Sequence, residues 1–107
     1  MRAVLECEIP LIVHLVAAAN LTVDISTLRA SPMDDGGMGS LLFEATAEGP
    51  RKALEVATCY FEDDDGVAVK AMLNIDQYGH LHELDVWKVD NSPLRRWPMA
   101  ADIRDSL

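Results

Sequence analysis

The chain has 107 residues, half of them apolar, and carries a formal net charge of −9 at pH 7. This length predicts one domain that buries roughly two thirds of the surface of its unfolded chain, and the apolar content excludes a disordered chain. The acidic balance disfavours binding to nucleic acids and to anionic membranes, whose phosphates it would repel. It favours either simple solubility, as in many small acidic proteins, or a basic protein as the partner.

Two features of the chain bear on cofactors and location. Cys7 and Cys59 are far apart and match no metal-ligand or redox spacing. We interpret both as small buried apolar residues and expect no disulfide framework, no zinc site and no cofactor.

Residues 9–19 are apolar apart from His14, but they are too few to cross a bilayer, and acidic residues precede them where a secretory signal would be basic. We therefore expect a cytoplasmic protein.

The first predicted element is a helix over residues 6–19. Pro10 falls near its start, where a missing backbone donor costs little, and Asn20 suits its C-terminal end. Because His14 is the single polar residue between positions 9 and 19, we expect the sheet, the C-terminal tail or a second subunit to cover most sides of this helix. One open interpretation is a homodimer in which two copies of the helix cover each other.

After residue 27 the pattern changes to short alternating runs separated by turns rich in Asp and Gly. The predicted strands are residues 28–31, 38–43, 52–62, 67–75 and 81–89. Close spacing of this kind is typical of an antiparallel meander. The predicted fold is therefore α+β, with one N-terminal apolar helix packed on a four- to five-stranded antiparallel meander sheet. We expect a single domain over residues 1–107, with a loosely ordered tail at 99–107.

The last predicted hairpin has two open registers. A four-residue loop would place Leu73 opposite Leu84 and Ala71 opposite Val86, so that one face of the hairpin is apolar. A three-residue loop with Gly79 as a bulge would mix the two faces, because a slip of one residue turns every side chain over. We prefer the first register, since it separates apolar from charged residues.

In the preferred register the last strand presents a mixed face that contains Glu83, Asp85 and Trp87. Its cross-strand neighbours would be Lys70, Met72 and Asn74. A tryptophan beside two carboxylates can anchor a basic protein partner, with Lys88 and Asp90 at the end of the strand. The same acids would serve acid–base chemistry if burial separated their pKa values. In a third interpretation Trp87 belongs to the core and the acids form its rim.

The glycine-rich turn at residues 33–40 resembles a phosphate-binding loop in composition alone. Asp34 and Asp35 stand where such a loop needs donors and positive charge, and no Gly-Lys-Ser/Thr follows. A hairpin turn explains the glycines better, because they adopt positive φ at little cost. Contact of this turn with a small ligand stays open.

Two groups of polar residues invite a metal interpretation. Placing the acidic run 62–66 on a calcium loop puts Phe61 and Met72 at the first and last ligand positions, and neither can bind calcium. Asp76, His80 and His82 surround the last hairpin, but their spacing is also that of ordinary polar residues at the start of a strand. We therefore expect no metal site.

Two strings of the chain are PMDDGGMGSL at residues 32–41 and GHLHELDVWKVDNSPL at residues 79–94. They resemble the paired signatures of a family of small uncharacterised bacterial proteins, M-x-D-G-G-M-G-S-L and L-x-E-L-D-x-W-K-x-D-x-S-P-L. Asn91 stands where that pattern leads us to expect an aromatic residue. The resemblance implies a bacterial, cytosolic protein and assigns no catalytic residue and no cofactor. In its small acidic form the chain is similar to immunity proteins that neutralise toxins.

The leading hypothesis is a non-enzymatic protein-binding domain, such as an immunity-type inhibitor of a basic toxin. Its expected binding residues are Glu83, Asp85, Trp87, Lys88, Asp90, Asp34 and Asp35. The alternative is a small-ligand-binding domain or weak enzyme that uses the turn at residues 34–39 together with the last hairpin. A concave pocket that joins these two regions would favour the alternative, and a flat charged sheet face would favour the leading hypothesis.

Overall fold

The computed structural model describes residues 1–106. Within these residues the fold is α+β, and one short α-helix packs on a six-stranded antiparallel sheet. In chain order the elements are β1 (Arg2–Ala3), α1 (Ile9–Ala18), β2 (Arg29–Pro32), β3 (Leu41–Phe43), β4 (Leu54–Glu62), β5 (Ala68–Ile75) and β6 (Leu81–Lys88). Three single 3₁₀ turns lie at Glu6–Glu8, Ile25–Thr27 and Ala100–Asp102.

The strand order β1-β2-β3-β6-β5-β4 corrects the predicted topology. The sheet has six strands rather than four or five, and it consists of two three-stranded meanders joined by the pairing of β3 with β6. The additional strand, β1, precedes the helix, so the helix is not the first element. With two residues paired to Arg29 and Ala30, β1 is too short to show the alternation by which a strand is recognised.

Both ends of α1 follow from local backbone chemistry. Pro10 lies in the first turn, as predicted, where its missing N–H leaves no carbonyl unpaired. Asn20 adopts φ of 56°. The N–H groups of Asn20 and Leu21 donate to the carbonyls of Ala17 and Val16, the two bonds of a Schellman motif. The predicted C-terminal stop at Asn20 is thus confirmed.

One side of α1 packs on the sheet and forms the core. Its buried residues are Leu11, Ile12, Leu15 and Val16. They join a cluster from β4, β5 and β6 that contains Cys59, Phe61, Val69, Ala71, Leu73, Leu84 and Val86. On the opposite side, Val13 is 46% exposed. Residues 1–106 therefore leave the side of the helix that contains Val13 uncovered, contrary to the expectation that most sides are covered. A homodimer through the helix stays a prediction that light scattering can test.

The segment after β6 returns along the edge of the sheet. The N–H and C=O groups of Arg104 pair with those of Tyr60 on β4. Ile103 is buried against the core, and His14 Nε2 lies 2.6 Å from Asp105 Oδ1. This segment therefore contacts both the edge strand and the helix. Leu107, the last residue of the predicted tail, lies outside the described residues.

The β5–β6 hairpin confirms the preferred register and adds a bulge. The pairs include Ala71 with Val86 and Leu73 with Leu84. Near the turn the register shifts, because Ile75 pairs with Leu81 while Asn74 pairs with Glu83. His82 is the extra residue of this bulge. The strands thus keep the register that separates the two faces, and the alternative with Gly79 as a bulge and mixed faces is wrong. The bulge lies next to the turn, at the end of β5 and the start of β6.

The surroundings of the two cysteines differ. Cys59 is fully buried in the core, as expected, whereas Cys7 is exposed, which corrects its interpretation as a buried residue. The 3₁₀ turn points Glu8 inwards instead, where its carboxylate meets Arg2 at 2.9 Å and accepts from the Leu5 N–H. No helix in residues 1–106 has the length and apolar content that crossing a bilayer requires.

Candidate functional site

On the side of the sheet opposite α1, residues 1–106 place no helix, and we call this side the open face. Strand alternation and cross-strand pairing define its members. They are Leu42, Thr58, Tyr60, Lys70, Met72, Asn74, Glu83, Asp85 and Trp87, with His82 at the bulge. The predicted neighbours of the acidic strand are confirmed: Asn74 pairs with Glu83, Met72 with Asp85, and Lys70 with Trp87.

Glu83 and Asp85 form a pair of half-buried carboxylates on this face. Asn74 Nδ2 donates to Asp85 Oδ2 at 2.7 Å, and His82 Nε2 lies 4.0 Å from Glu83 Oε1. Removal from water raises the pKa of the Asp85 carboxyl, and the charge of Glu83 and a side-chain hydrogen bond to Glu83 raise it further, while the Asn74 hydrogen bond lowers it by less. The two acids therefore repel each other when both are ionised, and the protonated form of Asp85 is favoured.

This carboxylate pair differs from the buried acids of residues 1–106, each of which has a cationic partner. Glu8 pairs with Arg2, Asp63 with Lys88, and Asp76 with Arg51. Within residues 1–106, no lysine or arginine nitrogen lies within ion-pair distance of Glu83 or Asp85. A carboxylate that is half removed from water without a cation is unfavourable, and an external cation would relieve it.

Trp87 ends the row of side chains that begins with Glu83 and Asp85. Its side chain is 44% exposed, which excludes the interpretation of Trp87 as a core residue. The indole Nε1–H donates to Asn91 Oδ1 at 3.0 Å, and Asn91 is in the turn after β6 with φ of 62°. The residue found in place of the expected aromatic thus holds the indole in a defined position.

Lys88 and Asp90 take structural positions rather than positions on the open face. Lys88 is completely buried, and its Nζ lies 2.9 Å from Asp63 Oδ2 and 2.6 Å from Asp65 Oδ2. Asp90 accepts hydrogen bonds from the N–H and the hydroxyl of Ser92 in the turn that follows β6. The buried Lys88 therefore cannot contact a partner directly, whereas a binding role for the exposed Asp90 stays a prediction.

We call Asp63, Asp65 and Lys88 the ion lock. Asp63 also accepts from the backbone N–H groups of Arg95 and Arg96, so the lock ties the β4–β5 turn to the segment after β6. Burial opposes ionisation of Asp63, but the Arg95 N–H and the Lys88 ammonium outweigh it and hold the pKa below its usual range. Sequence analysis did not identify this cluster.

The same acidic turn has the spacing of a metal site. Carboxylate oxygens of Asp63, Asp64 and Asp65 lie within 4.8 Å of one another. The Lys88 ammonium already lies between Asp63 and Asp65, however, and supplies the positive charge that a metal ion would provide. We therefore interpret this cluster as part of the ion lock.

The acids of the glycine-rich turn are not directed outwards as a pair. The Asp35 carboxylate accepts from the N–H groups of Met38 and Ser40 and so shapes its own turn. Asp34 is exposed. Ser40 Oγ accepts from the Val86 N–H at 2.9 Å and donates to the Val86 carbonyl at 3.3 Å, which continues the ladder between the turn and β6.

The turn packs against the segment after β6. The Gly37 carbonyl accepts from the Leu94 N–H at 2.9 Å. A Cβ atom on Gly39, whose φ is 104°, would lie 3.2 Å from Leu94 and 3.3 Å from Trp97. A cavity of about 280 Å³ beside the turn is lined by Arg2, Glu8 and Trp97 among others, and by no residue of β6. This cavity does not join the turn to the acidic pair.

The residues considered for a transition metal are separated. The His80 ring Nδ1 lies 2.6 Å from Thr46 Oγ1. The Asp76 carboxylate accepts from the backbone N–H groups of Tyr78 and His80 within its own turn. His82 belongs to the open face. Asp76 and His80 thus have local hydrogen-bond partners, whereas His82 Nδ1 is buried without a hydrogen-bond partner in residues 1–106.

The family model described as a domain of unknown function, DUF6984, matches residues 1–98, and the chain belongs to this family. No curated protein and no solved structure matches the chain at a significant level. Any assignment of function therefore depends on the chemistry of this chain's own residues.

Proposed function

We propose that this protein is a non-enzymatic protein-binding domain that docks a basic partner on its open face. The observation that carries the proposal is the pair Glu83 and Asp85 next to the half-exposed Trp87. Within residues 1–106, neither carboxylate has a lysine or arginine at ion-pair distance. Aromatic anchors beside charged groups are typical of the residues that dominate protein–protein affinity. Cationic groups on a partner would neutralise charges that repel each other in the free protein.

The shape of the open face supports docking over catalysis. Proton transfer by paired carboxylates is efficient in an enclosed site, where water is excluded and the two pKa values are separated. Here the acids lie in a row along β6, and Glu83 is 24% exposed. The glycine-rich turn is engaged by its own backbone and by Leu94, which argues against its use with β6 as a ligand site.

The finer parts of the proposal follow from composition and resemblance. With a net charge of −9, the chain is suited to a partner of opposite charge. We take the protein to be bacterial and cytoplasmic, the two strings at residues 32–41 and 79–94 to be signatures of its family, and the partner to be a basic toxin that an immunity-type inhibitor would neutralise.

Capture from the organism that encodes the protein tests this function. The baits are the wild type, the double variant Glu83→Lys with Asp85→Lys, and the control Glu48→Lys, which reverses one charge on an exposed loop. We expect a basic protein on the wild type and on the control, and its loss from the double variant. For an immunity-type role, the captured protein should inhibit growth when expressed alone, and co-expression of this chain should restore growth.

Circular dichroism of each bait separates loss of binding from loss of folding. A protein that is retained equally by the double variant would overturn the assignment of the open face. The absence of any protein specific to the wild type would overturn the binding function itself.

A further inference from the structure

We propose that the group recognised on the open face is an arginine side chain, whose guanidinium donates to Glu83 and Asp85 while its plane stacks on the indole of Trp87. This inference rests on the proposed function and deepens it, because it names the chemical group of the partner. It uses the three open-face residues that β6 presents in a single row.

The spacing of the two acids suits a guanidinium better than an ammonium. Glu83 and Asp85 are two positions apart on one side of a strand, so their Cα atoms are roughly 7 Å apart. A guanidinium has five N–H donors in a planar fork and can donate to two carboxylates at once, whereas an ammonium is a compact point charge. Two acids placed side by side therefore favour arginine over lysine.

The contacts of Asp85 leave suitable acceptors for such a fork. Asn74 donates to Oδ2 of Asp85, which fixes the orientation of the carboxylate. Because an ionised carboxylate has about four acceptor positions, acceptors remain for a ligand. The His82 Nε2 lies at the limiting distance of 4.0 Å from Glu83 Oε1, and within residues 1–106 no lysine or arginine lies at ion-pair distance from Glu83. Charge-assisted N–H···O bonds from a guanidinium would therefore satisfy both acids without displacing a strong internal ion pair.

Trp87 supplies the stacking surface at the end of the row. Arginine stacks on tryptophan more favourably than lysine does, because its planar cation contacts the whole ring. The bond from the indole Nε1–H to Asn91 holds the ring in place before a ligand arrives. Lys70 pairs with Trp87 across the strands, so its charge opposes a cation on that side of the indole and leaves the side next to Asp85 for the guanidinium.

Titrations of the isotope-labelled protein, followed by backbone and indole NMR signals, test the inference. The probes are three capped peptides that are identical except for a central arginine, lysine or citrulline. Citrulline has the shape of arginine without its charge. The wild type is compared with Glu83→Gln and with the control Glu48→Gln, which removes one charge from an exposed loop.

We expect the arginine peptide to shift the Trp87 indole signal and the amides of β6, with an affinity about tenfold above that of the lysine peptide. Glu83→Gln should lower this affinity about tenfold, while Glu48→Gln leaves it unchanged. Equal binding of the arginine and lysine peptides, lost together in Glu83→Gln, would overturn arginine recognition but leave the acidic docking face intact. If the arginine peptide does not shift the Trp87 indole signal, arginine recognition is also overturned. The docking function would still stand if the double charge-reversal variant no longer captured the basic protein.

Discussion

Replacement of Asp63 by asparagine should destabilise the fold by about 3–5 kcal/mol, the usual cost of removing one partner of a buried ion pair. Asp63 is almost completely buried, and its carboxylate accepts from Lys88 Nζ at 2.9 Å and from the Arg95 and Arg96 N–H groups at 2.8 and 3.0 Å. Asparagine keeps the shape, but its amide group places a donor where the carboxylate accepted. In this variant the Lys88 ammonium keeps only the ion pair with Asp65 among the two carboxylates of the lock.

The assay is urea and thermal unfolding followed by circular dichroism at pH 7. A loss of 3 kcal/mol corresponds to a decrease in Tm of about 12 °C or more for a domain of this size. The control is Asp64→Asn, because the exposed pair of Asp64 with Arg95 should contribute less than about 1 kcal/mol. A variant at Asp63 that unfolds within 1 kcal/mol of the wild type would refute the buried lock.

The same variant tests the sign of a pH effect. Because the pKa of Asp63 is lowered in the folded protein, its stabilising contribution is present above the unfolded pKa of about 3.9 and is lost as the pH falls through the folded value. The difference in stability between the wild type and Asp63→Asn should therefore shrink below about pH 4. A difference that stays constant on acidification would show that the carboxylate is not the stabilising form.

Three further predictions follow from burial and charge. Trp87→Ala should lower the free energy of unfolding by about 1 kcal/mol in urea, because the indole is half exposed, and a loss of about 3–5 kcal/mol would instead indicate a core residue. Since the pKa of Asp85 is raised, its ionised form is disfavoured in the fold, so Asp85→Asn should be at least as stable as the wild type at pH 7, an advantage that disappears below about pH 4. Burial raises the pKa of the Cys59 thiol to about 12, so a thiol reagent should label the exposed Cys7 alone in the native protein and both cysteines in urea, as mass spectrometry would show.

The hairpin at the centre of the candidate site could be predicted because alternation and burial agree there. Val69, Ala71 and Leu73 share one side of β5, and only one register places them against Leu84 and Val86. The bulge at His82 could not be predicted, since the turn residues allow loops of either length. The strand β1 could not be predicted either, because a strand of two residues shows no alternation of apolar and polar residues.

The sequence contains a signal for the ion lock. Lys88 follows the apolar Val86 by two positions and Leu84 by four, so strand alternation alone places its side chain on the core side of the sheet. A lysine at such a position requires buried acids, and the run 62–66 supplies them. What the sequence could not show is that Asp63 also binds the backbone at Arg95 and Arg96, because this contact joins residues distant along the chain.

The most direct test of the docking face is NMR chemical-shift mapping of the labelled protein with its captured basic partner. We predict that the largest amide shifts fall on residues 82–88 of β6 and 70–74 of β5, together with the Trp87 indole signal. Shifts centred on the turn at residues 34–40 would contradict this account and favour the ligand-binding alternative. Shifts confined to α1 would also contradict it and favour an interface through the helix.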